Sequence, residues 1–244
     1  DFAVERGFVP MVVPHLVRDE AMVGTAWFPG GEEQAYRIER DGLNLIGTSE
    51  VSVTAYHGSE ILREDELPKY YAGYSPCYRR EAGAAGRDTK GLYRIHQFDK
   101  VEQVVVTRCD AQESAREHDH ILRNAEELVQ ALGLPYRVVL VCSGDLSMGQ
   151  ARKYDIETWM PSRGTWGETH SATKYYEFQA RRLGLRYRDA DGQLHFAHTL
   201  NNTLVASPRI LIALLELNQQ ADGSVVIPAP LRPYMAGRES LRPT

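Results

Sequence analysis

Cysteine is scarce: Cys77, Cys109 and Cys142 are the three thiols in 244 residues. They lie far apart, with no C-x-x-C and no histidine at ligand spacing from any of them, so a disulfide framework is excluded. Reduced thiols are expected, and no zinc. No apolar run reaches membrane-spanning length and none reads as a secretory leader, which predicts a cytoplasmic protein. Excess basic charge is also missing: the formal net charge is −5 and the isoelectric point about 5.9. No global positive field marks a nucleic-acid binder, so any such contact has to be local or supplied by another part. Repeats, low-complexity tracts and linker-like stretches are absent. What remains, 43% hydrophobic and 25% charged, is ordinary globular composition with enough apolar residues for a large core. The first residue is Asp1 rather than Met, so the natural beginning is expected to lie upstream.

The most informative stretch runs from Ser75 to Val106, SPCYRREAGAAGRDTKGLYRIHQFDKVEQVVV. A β-rich run carrying Arg79, Arg80 and Glu81 enters a Gly/Ala-rich loop and leaves through a run that alternates. That pattern predicts a long antiparallel hairpin with a basic, flexible tip. In the returning strand Arg94, His96, Phe98, Lys100 and Glu102 share one face, and Tyr93, Ile95, Val101 and Val105 the other. Two kinds of cation, an aromatic ring and a carboxylate on one face offer a phosphate clamp, a stacking surface and an acceptor, and Arg79 and Glu81 can join them from the partner strand.

Along the rest of the chain, Phe8 to Val17 is β-rich but broken by Pro10 and Pro14, which suits an edge or interface strand. Arg18 to Trp27 reads as a short helix, followed by strands over 34–39 and 43–47 around the turn Arg40-Asp41-Gly42. Thr48 then caps a helix through His57 with Glu50 in its first turn; capping and ligand binding are compatible uses of both residues. Asp110 with Glu113 opens an amphipathic helix reaching Leu132, with Ile121, Leu122, Ala125, Leu128, Val129 and Leu132 inward and His118 and His120 outward. Tyr136 to Cys142 and Lys153 to Met160 are compact strands. From His195 the chain alternates as a strand. With Ser207 as N-cap and Pro208 at the first position, it then becomes an almost continuously apolar helix to Gln219. A helix apolar on all sides is buried, so Arg209 in its first turn needs a partner, either a buried carboxylate or an anion at the positive helix end. The whole predicts one α/β (α+β) domain on a mostly antiparallel sheet flanked by helices.

The hairpin closely resembles motif 2 of the class II aminoacyl-tRNA synthetases. Within them it matches the bacterial-type seryl-tRNA synthetases, whose pattern R-x-E-A-G, G-R-D-T-[KR]-G-L and H-Q-F-x-K-V-E is present letter for letter. Other segments are similar in the same order. Gly7 to Pro14 resembles the end of motif 1, which lies at the dimer interface in that class, and Thr48-Ser49-Glu50 the family's T-[SA]-E. Glu168-Thr169-His170-Ser171 resembles the E-x-x-S strand before motif 3, Thr199 to Thr203 a T-L-N-G-S element here written T-L-N-N-T, and Arg209 the motif 3 arginine. The tail from Gly223, GSVVIPAPLRPYM, is similar to the family's C-terminal pattern, so the resemblance runs from about Gly7 to about Gly237.

The resemblance implies the class II catalytic core over 1–244, lacking the N-terminal helical arm that grips tRNA, and activation of serine with ATP to seryl-adenylate before transfer to the 3′-end of tRNA(Ser). A carboxylate attacking the α-phosphorus needs no general base, so the chemistry asks for cations, orientation and a metal. On this reading Arg79 grips the α-phosphate and the substrate carboxylate end, Arg209 the γ-phosphate, and Arg87 closes over the β/γ end. Glu168 and Ser171 hold Mg²⁺; Phe98 stacks on adenine, with Glu81 accepting from its amino group. Thr48 and Glu50 take the serine ammonium, and Glu102 and Thr203, with Asn201 beside them, read its hydroxyl. Partners implied are serine, ATP, tRNA(Ser) through a part of the enzyme outside this sequence, and a second copy in a homodimer. Two other readings are a shortened paralogue that adenylates serine for a carrier protein and a non-catalytic, synthetase-like binding subunit; intact Arg79, Glu102, Glu168 and Arg209 argue against the latter.

Overall fold

The computed structural model describes residues 1–83 and 91–243. Its scaffold is a seven-stranded sheet of β1 (Val9–Val12), β2 (Lys69–Tyr78), β3 (Gln97–Thr107), β4 (Tyr136–Leu140), β5 (Arg152–Met160), β6 (Thr165–Tyr176) and β7 (His198–Ala206), in the order β1-β2-β3-β7-β6-β5-β4. β1 runs parallel to β2 and the remaining neighbours pair antiparallel, as the strand patterns predict. Pro10 lies in β1, at the sheet edge, where a missing N–H costs least. Val9 and Val12 in the same strand are 55% and 84% exposed.

Among the described residues five α-helices pack on this sheet: α1 (Asp19–Gly24), α2 (Ser49–Ala55), α3 (Ala111–Ala131), α4 (Phe178–Leu183) and α5 (Ser207–Asn218). Alternation along β3 sends Val105 to one side, into a cluster with Ile121 of α3, and Val104 and Val106 to the other. α3 and α5 cover the first side, where Leu122, Ala125, Val129, Ile156, Ala172, Ile210 and Ala213 form the main core. Each fully buried aliphatic side chain there is worth about 1.5–3 kcal/mol over exposure. α1, α2 and α4 stand on the opposite side and leave a concave space against the strands. α2 approaches closely because β2 has Gly73 at the crossing: a Cβ there would lie 2.7 Å from Val53 and 2.9 Å from the Ser49 hydroxyl. Among the described residues no helix is long and apolar enough to cross a membrane.

Four sequence expectations need correction. The hairpin is shorter than its alternation implies, with strand pairing ending at Tyr78↔Gln97. The Arg79 N–H, donating to the His96 carbonyl at 3.0 Å, extends it by one bond among the described residues. Residues 91–96 lie outside the strand, which begins at Gln97, so the strand face assigned to Arg94 and His96 does not exist, and Glu81 takes a left-handed φ of 51°. His118, expected outside, is 1% exposed and packs on Tyr154 with ring centroids 5.3 Å apart. It sits three and four residues before Ile121 and Leu122, so helical spacing places it on the buried stripe. Ser207 is the first residue of α5 rather than its cap, and its hydroxyl accepts from the Asp99 N–H at 3.2 Å. α5 is not buried all round: Leu211 and Leu215 are 40% and 37% exposed. Asp110 does cap α3, its carboxylate accepting from the Glu113 N–H at 2.6 Å.

Candidate active site

The side of the sheet opposite α3 opens into a cleft of ≈ 310 Å³. β3 contributes Phe98, Lys100 and Glu102 by strict alternation, and the antiparallel register Thr203↔Glu102 sets Thr203 directly opposite. The Thr203 hydroxyl and the Asn201 amide each donate to the Glu102 carboxylate at 3.2 Å, and the Lys100 ammonium lies 2.6 Å from it. With side chains 6% and 1% exposed, Lys100 and Glu102 form a buried ion pair. Such a pair keeps its value only while every partner is present. The Asn201 Oδ1 beside it is buried and, among the described residues, has no donor, an acceptor suited to a ligand's N–H or O–H.

The N-terminus of α2 forms the adjoining wall. Thr48 caps it, its hydroxyl accepting from the Glu50 N–H at 3.3 Å. Ser49 ties it to β2 by donating to the Gly73 carbonyl at 2.9 Å. Glu50 itself is buried. Burial pushes its carboxyl up to about 7, aided by the charge of Glu102 and opposed by the Gln179 amide, the Lys100 ammonium and the Tyr175 hydroxyl. The Tyr175 hydroxyl is in turn raised well above its ordinary value, by burial first and then by Glu50.

The opposite end of the cleft carries the arginines. Arg79 donates from Nε to the Gly47 carbonyl at 3.2 Å, and its guanidinium lies 5.4 Å from the Phe98 ring and 5.7 Å from that of Trp27. Arg209, in the first turn of α5, donates to the Glu168 carbonyl at 2.9 Å and lies 3.4 Å from the Glu168 carboxylate. It also covers the Tyr93 ring at 4.4 Å. The carboxylate that Arg209 pairs with is a cleft residue that is 42% exposed rather than buried. Glu81, expected to face adenine, is paired with Arg94 at 2.8 Å.

Glu168 and Ser171 are three residues apart in β6, a spacing that in a regular strand points them to opposite faces. The register slips between Glu168 and His170, and this bulge returns both to the cleft. Asp155 lies opposite Ser171 and is raised by burial and then by the Glu168 charge, with Lys153 and the Ser171 hydroxyl pulling it down. A carboxylate, a hydroxyl and a nearby second carboxylate are hard oxygen donors, a set that fits Mg²⁺.

The cleft therefore gathers Thr48, Glu50, Arg79, Glu81, Phe98, Glu102, Glu168, Ser171, Asn201, Thr203 and Arg209. Arg87 lies outside the described residues. Sequence reasoning missed Lys100 as the partner of Glu102, Gln179 and Tyr175 as partners of Glu50, and Asp155 beside Ser171. Their only signal was a polar residue at a position whose neighbours are buried. Cys109 has no histidine near it in sequence, yet the register His198↔Thr107 brings Cys109, Glu177 and His198 within 4.8 Å of one another, apart from the cleft. Glu177 is already paired with Arg181 there, and His198 Nδ1 with the Ser114 hydroxyl.

Comparison with known proteins places this geometry. The model of the tRNA synthetase class II core domain (G, H, P, S and T) matches residues 36–218. A serine–tRNA ligase of Deinococcus radiodurans is 54% identical over 241 residues, 99% of this chain and 57% of that protein; one from Streptomyces coelicolor is 47% identical over the same length. The chain thus spans a little over half the length of these curated relatives. Among solved structures, the seryl-tRNA synthetase of Pyrococcus horikoshii complexed with ATP superposes with a TM-score of 0.95 at 46% identity, over 100% of this chain and 54% of that one. The cytoplasmic serine–tRNA ligase of Naegleria fowleri in complex with AMP does so at 0.94 and 37% identity, over 99% of this chain and 57% of that one. The chain belongs to the tRNA synthetase class II core domain family of the G, H, P, S and T group.

Proposed function

We propose that this chain is the serine-activating core of a serine–tRNA ligase. It would join serine to ATP as seryl-adenylate and pass the seryl group to the 3′-end of tRNA(Ser). The observation that carries the reading is the charge balance of the buried end of the cleft. Two carboxylates, Glu50 and Glu102, face one ammonium, Lys100, so one more cation completes the set. A substrate α-ammonium supplies that charge near Glu50 and Thr48. The substrate hydroxyl then falls to Glu102, Thr203 and the unpaired Asn201 oxygen. Alanine or glycine would leave those buried groups unmatched, a discrimination worth about 10⁴-fold.

The arginines do the work at the other end. Arg79 draws the substrate carboxylate and the α-phosphate of ATP together, a proximity effect rather than base catalysis. Arg209 leaves Glu168 for the terminal phosphates, helped by the positive end of α5, and Phe98 offers its ring to adenine. Glu168 and Ser171 would hold Mg²⁺, which supplies charge neutralisation on the phosphates when bound. Removing one such clamp costs on the order of 10²-fold in rate. The exposed valines of β1 suit pairing with a second copy, and tRNA would be gripped by a part of the enzyme beyond this chain.

The test is serine-dependent exchange of pyrophosphate into ATP, with alanine, glycine and threonine as controls. Exchange with serine alone supports the reading; equal exchange with alanine sinks it.

A further inference from the structure

Gln179, in the short helix α4, is 1% exposed and has no place in the reaction as described so far. Its amide is fully engaged. The carbonyl oxygen accepts from the Thr199 hydroxyl at 2.6 Å, and the NH₂ donates to the Thr25 carbonyl at 3.0 Å and to the Glu50 carboxylate at 2.7 Å. The Thr25 carbonyl and the ionised Glu50 carboxylate can only accept, so they fix which end of the amide is which, and the Thr199 hydroxyl donates to the oxygen end. Strand β7, the loop after α1, and α2 are thereby joined at one buried side chain. The charge type matters as much as the geometry. A lysine or arginine at this position would neutralise Glu50 and compete with an arriving ammonium. A glutamine stabilises the carboxylate by hydrogen bonding while leaving its negative charge unspent.

We propose that Gln179 is a positioning residue for the substrate ammonium, holding the Glu50 carboxylate oriented in a buried site. The inference rests on the serine-activation reading for its substrate, but not for the control of Glu50 by Gln179. Without that amide, burial and Glu102 act on Glu50 with less opposition, so a larger fraction is neutral at pH 7 and the ammonium loses its counter-charge. Thr199 acts one step further back, by donating to the amide oxygen and holding the side chain in place.

Two variants and two readouts test it in the full-length protein: Gln179→Met, which keeps volume and loses every amide contact, and Thr199→Val, which leaves Glu50 untouched. The first readout, independent of activity, is the titration of the Glu50 side-chain carbonyl followed by NMR with ¹³C-labelled glutamate. The expected midpoint is higher in Gln179→Met than in the parent and intermediate in Thr199→Val. The second is pyrophosphate exchange against pH. For Gln179→Met the KM for serine should rise about 10- to 100-fold at pH 7, the loss expected for a hydrogen bond to a charged group. The KM for ATP should stay within about twofold, and the serine defect should shrink as pH rises, because Glu50 then ionises in either protein. A packing defect alone would not recover with pH. Unchanged Glu50 titration in both variants overturns the proposal, as does a serine KM that ignores pH. A parent protein that does not exchange with serine removes the substrate reading, while the titration still decides whether Gln179 governs Glu50.

Discussion

Replacing Glu102 by Gln separates what the Lys100–Glu102 pair does for folding from what it does for a ligand. The pair is 2.6 Å apart with both side chains buried. The Gln side chain keeps the shape and can still accept from Thr203, but it removes the carboxylate that the buried Lys100 ammonium touches, leaving the more distant Glu50 as its counter-charge. Removing one partner of a buried pair costs about 3–5 kcal/mol. For a chain of this length that lowers Tm by roughly 6–20 °C. Lys100→Met should cost less, about 1–3 kcal/mol, because the Asn201 and Thr203 donors still serve Glu102. The double variant Lys100→Met/Glu102→Gln should recover most of the loss, since a matched neutral pair is often as stable as the ions it replaces. Urea unfolding of the four proteins reads the coupling directly, expected at about 3–7 kcal/mol when the double variant costs about 1 kcal/mol. Activity should behave differently: Glu102→Gln and the double variant both lose serine-dependent exchange while retaining ATP binding. A coupling energy below about 0.5 kcal/mol refutes the buried-pair argument. Full serine-dependent exchange in the double variant refutes the hydroxyl-reading role.

Gly73→Ala should destabilise the fold by about 1–3 kcal/mol, because the new methyl meets Val53 at 2.7 Å and the Ser49 hydroxyl at 2.9 Å. Since α2 must shift to relieve this, the KM for serine should rise more than that for ATP, and steady-state kinetics on both substrates checks it. His170, buried in the cleft wall, has its imidazole pushed down by burial to about 4 from an ordinary 6.5. Between those values the folded protein binds fewer protons than the unfolded chain. Its contribution is therefore fully present above about pH 6.5 and lost as pH falls toward 4, by up to about 3 kcal/mol. Glu50 acts with the opposite sign, so the comparison to make is the pH dependence of the urea midpoint in the parent against His170→Gln, whose acid limb should be flatter. Glu168→Ala should weaken the dependence of exchange on Mg²⁺ and lower the rate about 10²-fold, read by titrating the metal at saturating ATP and serine; an unaltered Mg²⁺ requirement removes Glu168 from that role.

Much of this was legible in the sequence. Period-two alternation put Phe98, Lys100 and Glu102 on one face, since side-chain direction in a strand is fixed by the backbone alone. Asp110 and Thr48 announced the helices they cap, because capping is a local hydrogen bond. The proline-broken run from Phe8 foretold an edge strand, as a missing N–H cannot serve two neighbours. The motif patterns named eleven of the residues that line the cleft.

What tertiary structure decided is every relation that depends on register or on long-range packing. The convergence of Glu168 and Ser171 on one face comes from a bulge opposite β5, which neither residue encodes. The ion pairing of Lys100 with Glu102 depends on how deeply β3 is buried between its neighbours, and the Gln179–Glu50 contact joins residues 129 apart in sequence. His118 lies on the stripe of Ile121, Leu122 and Ala125, and the depth to which that stripe is buried comes from the sheet packed against it. The alternation assigned to Arg94 and His96 failed because the chain leaves the sheet before Gln97. Local sequence fixes which way a side chain points from its own backbone; what it points at is set by the partner strand, and that is written elsewhere in the chain.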